Sequence, residues 1–207
     1  MIPARKNIFI SNMFAKYVRY RMHKAFRRIC VTPIELRPDH SILLLSNHFS
    51  WWDGFFLNYI EHWVVKRPSY LMMQHDHLEK RMFFNLVGCF SIERGTRQML
   101  QSLMYAADLL NDPRKMVAVF PQGSLQSNHI SEISVEKGIA RLIKHIKGPC
   151  QIVYSCTLIE YFESLKPSAY VQLFDCGVAG EVPFDELVTR INGFHQQALK
   201  NQVDARH

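Results

Sequence analysis

Short apolar runs alternate along this chain with longer stretches whose apolar side chains recur every three to four positions, the pattern of strands alternating with helices. Ile42-Leu43-Leu44-Leu45 is the clearest strand, and Met116-Val117-Ala118-Val119-Phe120 ends as sharply, at Pro121. The full reading places strands at 34–37, 42–46, 69–74, 89–93, 116–120, 151–158 and 169–174. It places helices at 53–65, 76–86, 96–111, 134–147 and 183–200. Asp112-Pro113 closes the third of these helices and Gly148-Pro149 the fourth. Ahead of them, Ile10, Met13, Phe14, Tyr17, Val18, Arg21, Met22 and Phe26 fall near helical spacing. A helix from Asn7 to Cys30 would be about 35 Å long. No internal repeat, low-complexity tract or linker interrupts the pattern. The expectation is a single α/β domain over 34–207, a mixed and mostly buried sheet flanked by helices, with a basic amphipathic helix over 1–33.

Composition supports a folded chain. Its 207 residues can bury a substantial core, and with 48% hydrophobic and 21% charged residues it is not a disordered polyelectrolyte. The five cysteines are scattered, without a Cys-x-x-Cys pair, which suggests reduced thiols in the cytosol. The N-terminus lacks a clean apolar core of a secretory signal, and no stretch reaches the ~20 apolar residues that span a bilayer.

Charge changes the picture more. Residues 1–34 hold eight bases (Arg5, Lys6, Lys16, Arg19, Arg21, Lys24, Arg27, Arg28) and no acid. The remainder carries 17 bases against 18 acids, so the net +7 belongs to this segment. An apolar stripe edged by Arg and Lys is the pattern of a helix lying in a membrane interface, where each base near anionic lipid adds about 1 kcal/mol. A basic surface helix packed on its own domain, or a nucleic-acid arm, would use the same composition.

Three strand ends carry candidate chemistry. In Asn47-His48-Phe49-Ser50-Trp51-Trp52-Asp53, a histidine and an aspartate five residues apart occupy a strand-to-helix turn. If the turn folds back, the carboxylate accepts from one imidazole nitrogen and leaves the other as a base toward a hydroxyl or amine. Taken alone, Asp53 could equally be a helix N-cap and His48 a satisfied turn histidine. Val87 to Gly95 reads as a strand ending in a turn that presents Arg94. Phe120-Pro121-Gln122-Gly123-Ser124 is a turn whose backbone N–H groups can face a ligand. In α/β sheets such strand ends are where sites are built. Gln74-His75-Asp76-His77 is too sparse for a metal site, with Asp76 better suited to a helix N-cap. Trp51 and Trp52 could line an acyl pocket but read rather as core aromatics beside the turn, and Cys89 reads as an inert strand thiol.

In these three segments the chain resembles the lysophospholipid and glycerol-phosphate acyltransferases. Asn47, His48, Ser50 and Asp53 match their Asn-His-x-Ser-x-x-Asp motif; Gly88, Ile92 and Arg94 match Gly-x-x-x-Ile-x-Arg. Phe120 to Leu125 stands where the family has Phe-Pro-Glu-Gly-Thr-Arg, and Lys137-Gly138 followed by Pro149 to Val153 is similar to a looser fourth element. The departures are Gln122 for glutamate, Ser124 for threonine, Leu125 for arginine and Tyr154 for proline.

The resemblance implies a lipid-biosynthetic transferase, most like a lysolipid O-acyltransferase, that moves a fatty acyl group from an acyl thioester to a hydroxyl or amine of a lipid. His48 and Asp53 would be catalytic. Asn47, Ser50, Arg94, Phe120, Pro121, Gln122, Gly123 and Ser124 would bind substrate. Acyl-CoA or acyl carrier protein would serve as co-substrate, with no bound cofactor or metal. The expected partners are anionic membrane lipids and the acyl donor, not nucleic acid. The expected place is the cytoplasmic face of the inner membrane, peripherally bound. A non-catalytic lipid-binding relative is the alternative. Losing the arginine fork at Leu125 points away from acceptors with a terminal phosphate monoester.

Overall fold

Ser41–Ser46 (β2) is buried at every position, and its apolar side chains divide by strict alternation. Ile42 and Leu44 enter one core, Leu43 and Leu45 the other. A strand with two apolar faces must lie between helix layers, and β2 is at the middle of the sheet. The computed structural model describes residues 1–204. Its single α/β domain holds a seven-stranded mixed sheet in the order β1-β7-β6-β2-β5-β3-β4, built from Ile29–Val31 (β1), β2, Ser69–Gln74 (β3), Cys89–Ile92 (β4), Met116–Val119 (β5), Cys150–Glu160 (β6) and Ser168–Val178 (β7). All neighbours are parallel except β6 and β7. The C-terminal ends of β2, β5, β3 and β4 therefore share one edge.

Helices Gln98–Leu109 (α5), Lys137–His145 (α6) and Phe184–Asp204 (α7) cover the face of Leu43 and Leu45. Ile8–Ala25 (α1) and Asp53–Tyr59 (α2) cover the other. The expected helix 53–65 is present, but its last part, Ile60–Val65, is a π-helix that ends at Lys66 in a left-handed conformation (φ 57°). The expected helix 76–86 is two short ones, His75–Glu79 (α3) and Phe83–Leu86 (α4). Asp76 lies in the first turn of α3 rather than at its cap.

The N-terminal reading needs two corrections. No strand forms at 34–37; Ile29–Val31 pairs with β7 instead. The buried Gln151 side chain accepts from Arg37 N–H and donates to the Glu35 carbonyl, so a side chain takes the role of a strand neighbour there. The helix stops at Ala25, not Cys30. Phe26 is already extended, and Arg27 N–H donates to Pro167 O as the chain enters the sheet. The boundary expected near residue 33 thus falls inside the sheet layer.

Residues 1–7 are tied down as firmly. Ile2 and Ser91 exchange hydrogen bonds along the outer edge of β4, which covers an otherwise open strand. Lys6 forms a buried ion pair with Glu61 and also donates to the Ser69 carbonyl at 2.8 Å. Gly88, with φ +111°, leaves room for Lys6: a Cβ there would lie 2.7 Å from Ser69 O and 3.2 Å from the Lys6 side chain. Asn7 caps α1 by accepting from Phe9 and Ile10 N–H.

The stripe on α1 has two destinations. Val18, Met22 and Phe26 are buried, whereas Met13 and Tyr17 face outward with Ile8, Phe9 and Tyr20. Among the described residues, no helix is long and apolar enough to cross a membrane.

Candidate active site

The turn after β2 closes around one carboxylate. Asp53 Oδ2 lies 2.7 Å from His48 Nδ1 and accepts the backbone N–H groups of Phe49 (2.8 Å) and Ser50 (2.9 Å). Ser50 Oγ donates to Asp53 Oδ1 at 3.2 Å and accepts from Trp52 N–H. Asp53 is 2% exposed and is not a helix cap: its acceptor positions are directed back at the turn. With Nδ1–H donated to Asp53, the neutral imidazole carries its lone pair on Nε2. The ring stacks on Phe120, centroids 4.0 Å apart and planes 13° apart, which fixes its tilt.

Two of the expected substrate residues, Asn47 and Gln122, make hydrogen bonds that brace the turns. Asn47, 3% exposed, exchanges hydrogen bonds with Thr157 N–H (2.8 Å) and O (2.9 Å), locking the end of β2 to β6. Gln122, 4% exposed, accepts from His48 N–H at 2.6 Å and donates to Gln126 Oε1. Gln126 N–H in turn donates to the His48 carbonyl. Gln122 donates to Gln126 here, whereas a glutamate at 122 would need the Gln126 amide turned over to donate in its place. With an amide at 122, the bonds to His48 N–H and to Gln126 are both made.

Ser50, Arg94, Phe120, Pro121, Gly123 and Ser124 are brought together with His48 at one end of a cavity of about 410 Å³. The Arg94 guanidinium lies over Gly123, whose φ is +65°; a Cβ there would come within 1.1 Å of Arg94 Nη2. Only glycine admits both the backbone and the approach. Arg94 Nη2 also faces Glu136 Oε1 at 3.5 Å. Gly123 N–H is used within its turn, donating to Phe120 O, so any oxyanion donor there comes from the N–H groups of Ser124 and Leu125 that follow.

The cavity runs along the whole of β3, from Gln74 at the catalytic edge to Ser69, a span of about 17 Å. Leu57, Leu71, Met72, Phe84 and Val87 make its wall largely apolar. Cys89 also borders it, but burial pushes this thiol up to about 12, against a smaller opposite effect of Lys6, so it is no nucleophile. Trp51 stands exposed at the rim, whereas Trp52 packs against Phe26 and Phe55.

The braces of the third turn were not expected from the sequence. On α7, Asn192 accepts from Ile133 N–H and donates to Ile133 O, while His195 Nε2 bonds to the Ile130 carbonyl at 2.9 Å. Burial lowers the His195 pKa, opposed by that carbonyl, and its Nδ1 meets Tyr154 Oη at 3.0 Å. Tyr154, where the acyltransferase motif has proline, is therefore half of a buried Tyr–His pair. Asn128 ties the same loop to β6 through Thr157 O and Ile159 N–H. The one available signal was the complementary amides of Gln122 and Gln126, four residues apart. Among the described residues, no group of three His, Cys, Asp or Glu side chains could hold a metal.

No curated protein matches the chain in sequence. The fold is similar to that of PlsC from Thermotoga maritima, a 1-acyl-sn-glycerophosphate (LPA) acyltransferase, with a TM-score of 0.64 at 13% identity, over 95% of this chain and 81% of that one. The Acyltransferase family matches residues 28–158, the stretch holding the His48–Asp53 turn, Arg94 and the Phe120–Ser124 turn, and the chain belongs to that family.

Proposed function

We propose that this protein transfers a fatty acyl group from an acyl thioester, acyl-CoA or acyl carrier protein, to a hydroxyl or amine of a lysolipid-like acceptor at a membrane surface. The observation that carries this reading is the His48–Asp53 pair, held at 2.7 Å at the head of a long apolar cavity. His48 Nε2 takes the acceptor proton as the acceptor attacks the thioester carbonyl. Asp53 holds the tautomer and stabilises the imidazolium. The N–H groups of Ser124 and Leu125 and the Arg94 guanidinium support the oxyanion. Collapse breaks the carbon–sulfur bond, and the imidazolium returns its proton to the thiolate. Turnover of long-chain thioesters by the purified protein tests the reaction; a lipid-binding protein without turnover would refute it.

The acceptor reading rests on the loss of arginine at Leu125 and on the Arg94–Glu136 pair. Arg94, on the same cavity as His48, already has a carboxylate partner, which disfavours a dianionic phosphate monoester. At equal concentrations, lysophosphatidate should not outcompete acceptors with larger or non-phosphate head groups. Both side chains are about half exposed, so Glu136→Gln should shift the ratio of initial rates toward lysophosphatidate only about two- to fivefold. A tenfold wild-type preference for lysophosphatidate would contradict this assignment.

Membrane contact, at the cytoplasmic face of the inner membrane, is assigned to the outer face of α1. Ile8, Phe9, Met13 and Tyr20 are exposed there beside Lys16 and Arg19. Phe9 is 69% exposed, so changing it leaves the core intact. Phe9→Ser with Met13→Ser should weaken partition to anionic vesicles by about tenfold or more, with unchanged melting. Salt should weaken wild-type binding without abolishing it. Equal pelleting of the double variant and wild type would place the anchor elsewhere.

A further inference from the structure

Between Lys137 and Lys147 the chain has four bases and no acid, although beyond residue 34 it is close to neutral. α6 sorts this segment by face. Ile139 and Leu142 are buried beneath it, while Lys137, Arg141 and Lys144 are exposed. Their spacings of four and three place them in one row about 10 Å long. Among the described residues none of the three forms an ion pair, and Glu136, just ahead of them, is turned to Arg94. Like charges at these spacings repel one another, and nothing in the chain relieves the repulsion.

An apolar strip lies beside the row. α5 and α6 pack side by side, and a Cβ on Gly138 would come 3.2 Å from Met99 Cε. Tyr105 turns one flank of α5 toward the β4 edge, where it meets Phe90 and accepts from Ala4 N–H. Leu100 and Met104 lie about 140° and 100° around the helix from Tyr105, on the flank toward α6. Each is 46% exposed.

The position of this surface decides what it can meet. α5 and α6 cover the sheet face opposite to α1, so with α1 at a bilayer the basic row faces water. The cavity is lined from both layers, by Phe14 of α1 and Phe55 of α2 on one side and by Gly138 and Ile139 of α6 on the other. The phosphates of a free coenzyme form one compact cluster. A row of bases beside two exposed apolar side chains suits an acidic protein surface instead. We propose that α5 and α6 dock an acidic carrier protein, which delivers the acyl thioester from the aqueous side while the lipid acceptor enters from the α1 side. The proposal rests on the acyltransferase reading and selects the carrier protein as the donor.

The test compares palmitoyl-acyl carrier protein with palmitoyl-CoA on the full chain. Arg141→Glu with Lys144→Glu should lower kcat/KM for the carrier-protein donor about tenfold or more, and change it less than about twofold for the coenzyme. Leu100→Ser with Met104→Ser should also lower it selectively, by about threefold or more. Added salt should weaken use of the carrier protein by wild type more than by the charge-reversed variant. Melting and vesicle pelleting should stay at wild-type values in both. Binding is read separately from turnover, by anisotropy of a labelled acyl carrier protein. Equal losses with both donors would overturn the proposal, as would loss of vesicle pelleting with carrier-protein kinetics intact, which would make this face a membrane contact. No binding of the carrier protein by wild type would overturn it as well. Binding that the charge reversal abolishes, without turnover of either thioester, would uphold the docking surface and refute the acyltransferase reading instead.

Discussion

His48→Ala should lower acyl transfer by about 10²–10⁴-fold while the protein remains folded. The imidazole borders the cavity, stacks on Phe120 and keeps 24% of its side-chain surface exposed, so its loss empties a partly open site rather than the core. Asp53→Asn should be comparably severe for a different reason. The carboxylate accepts from the imidazole, from two backbone N–H groups and from Ser50 Oγ. An amide retains one acceptor oxygen, and its NH₂ would favour the tautomer with the lone pair on Nδ1. Steady-state rates with one thioester, beside circular dichroism of each variant, check both. Near-normal turnover by a folded His48→Ala protein would exclude general-base catalysis at this site.

Lys6→Ala should destabilise the protein by about 3–5 kcal/mol. Lys6 and Glu61 are each 6% exposed, and removing the cation leaves a buried carboxylate with Ser69 as its remaining hydrogen-bond donor. Lys6→Met combined with Glu61→Leu should recover much of the loss, because neither charge is then stranded. Denaturant unfolding of the three proteins measures it. A loss below about 1 kcal/mol for Lys6→Ala would mean that Glu61 is relieved otherwise, by solvent or by His62, whose Nδ1 lies 3.8 Å from its carboxylate. Lys6 also makes residues 1–30 inseparable from the domain: their deletion would remove this pair, Val18 and Met22 from the core, and β1 from the sheet.

Much of the core was legible in the sequence because it is local. The alternation in Ile42–Leu45 and the Pro/Gly stop after Val119 announce themselves within a few residues. So does the His48–Asp53 pair, whose spacing lets one turn close on itself. The failures involve partners distant in sequence. Nothing near Ile29 says that it pairs with Ala169, and nothing near Glu35 says that Gln151 will satisfy its carbonyl. The same blindness hid His195 and Asn192. A helical pattern marks which face is apolar, but a polar residue on that face becomes informative only when its surroundings are known. The motif positions carried a related ambiguity. Asn47 and Gln122 look like substrate ligands by their place in a motif, and the structure adds that their side chains also brace the fold, Asn47 through the Thr157 backbone and Gln122 through His48 N–H and the Gln126 amide.

The arrangement of β1 has a consequence for biosynthesis. Its neighbour is β7, and Thr32 Oγ1 receives Leu173 N–H across 141 residues. At about 5–20 residues per second, translation separates the two strands by roughly 7–30 s. During that interval Val18 and Met22 have no finished core to enter, and loop closure over such a distance slows folding further. Cooperative closure of the α1 layer must therefore await the last fifth of the polypeptide, so a ribosome stalled before Ser168 would hold a chain with its catalytic turn made and its first helix still uncovered.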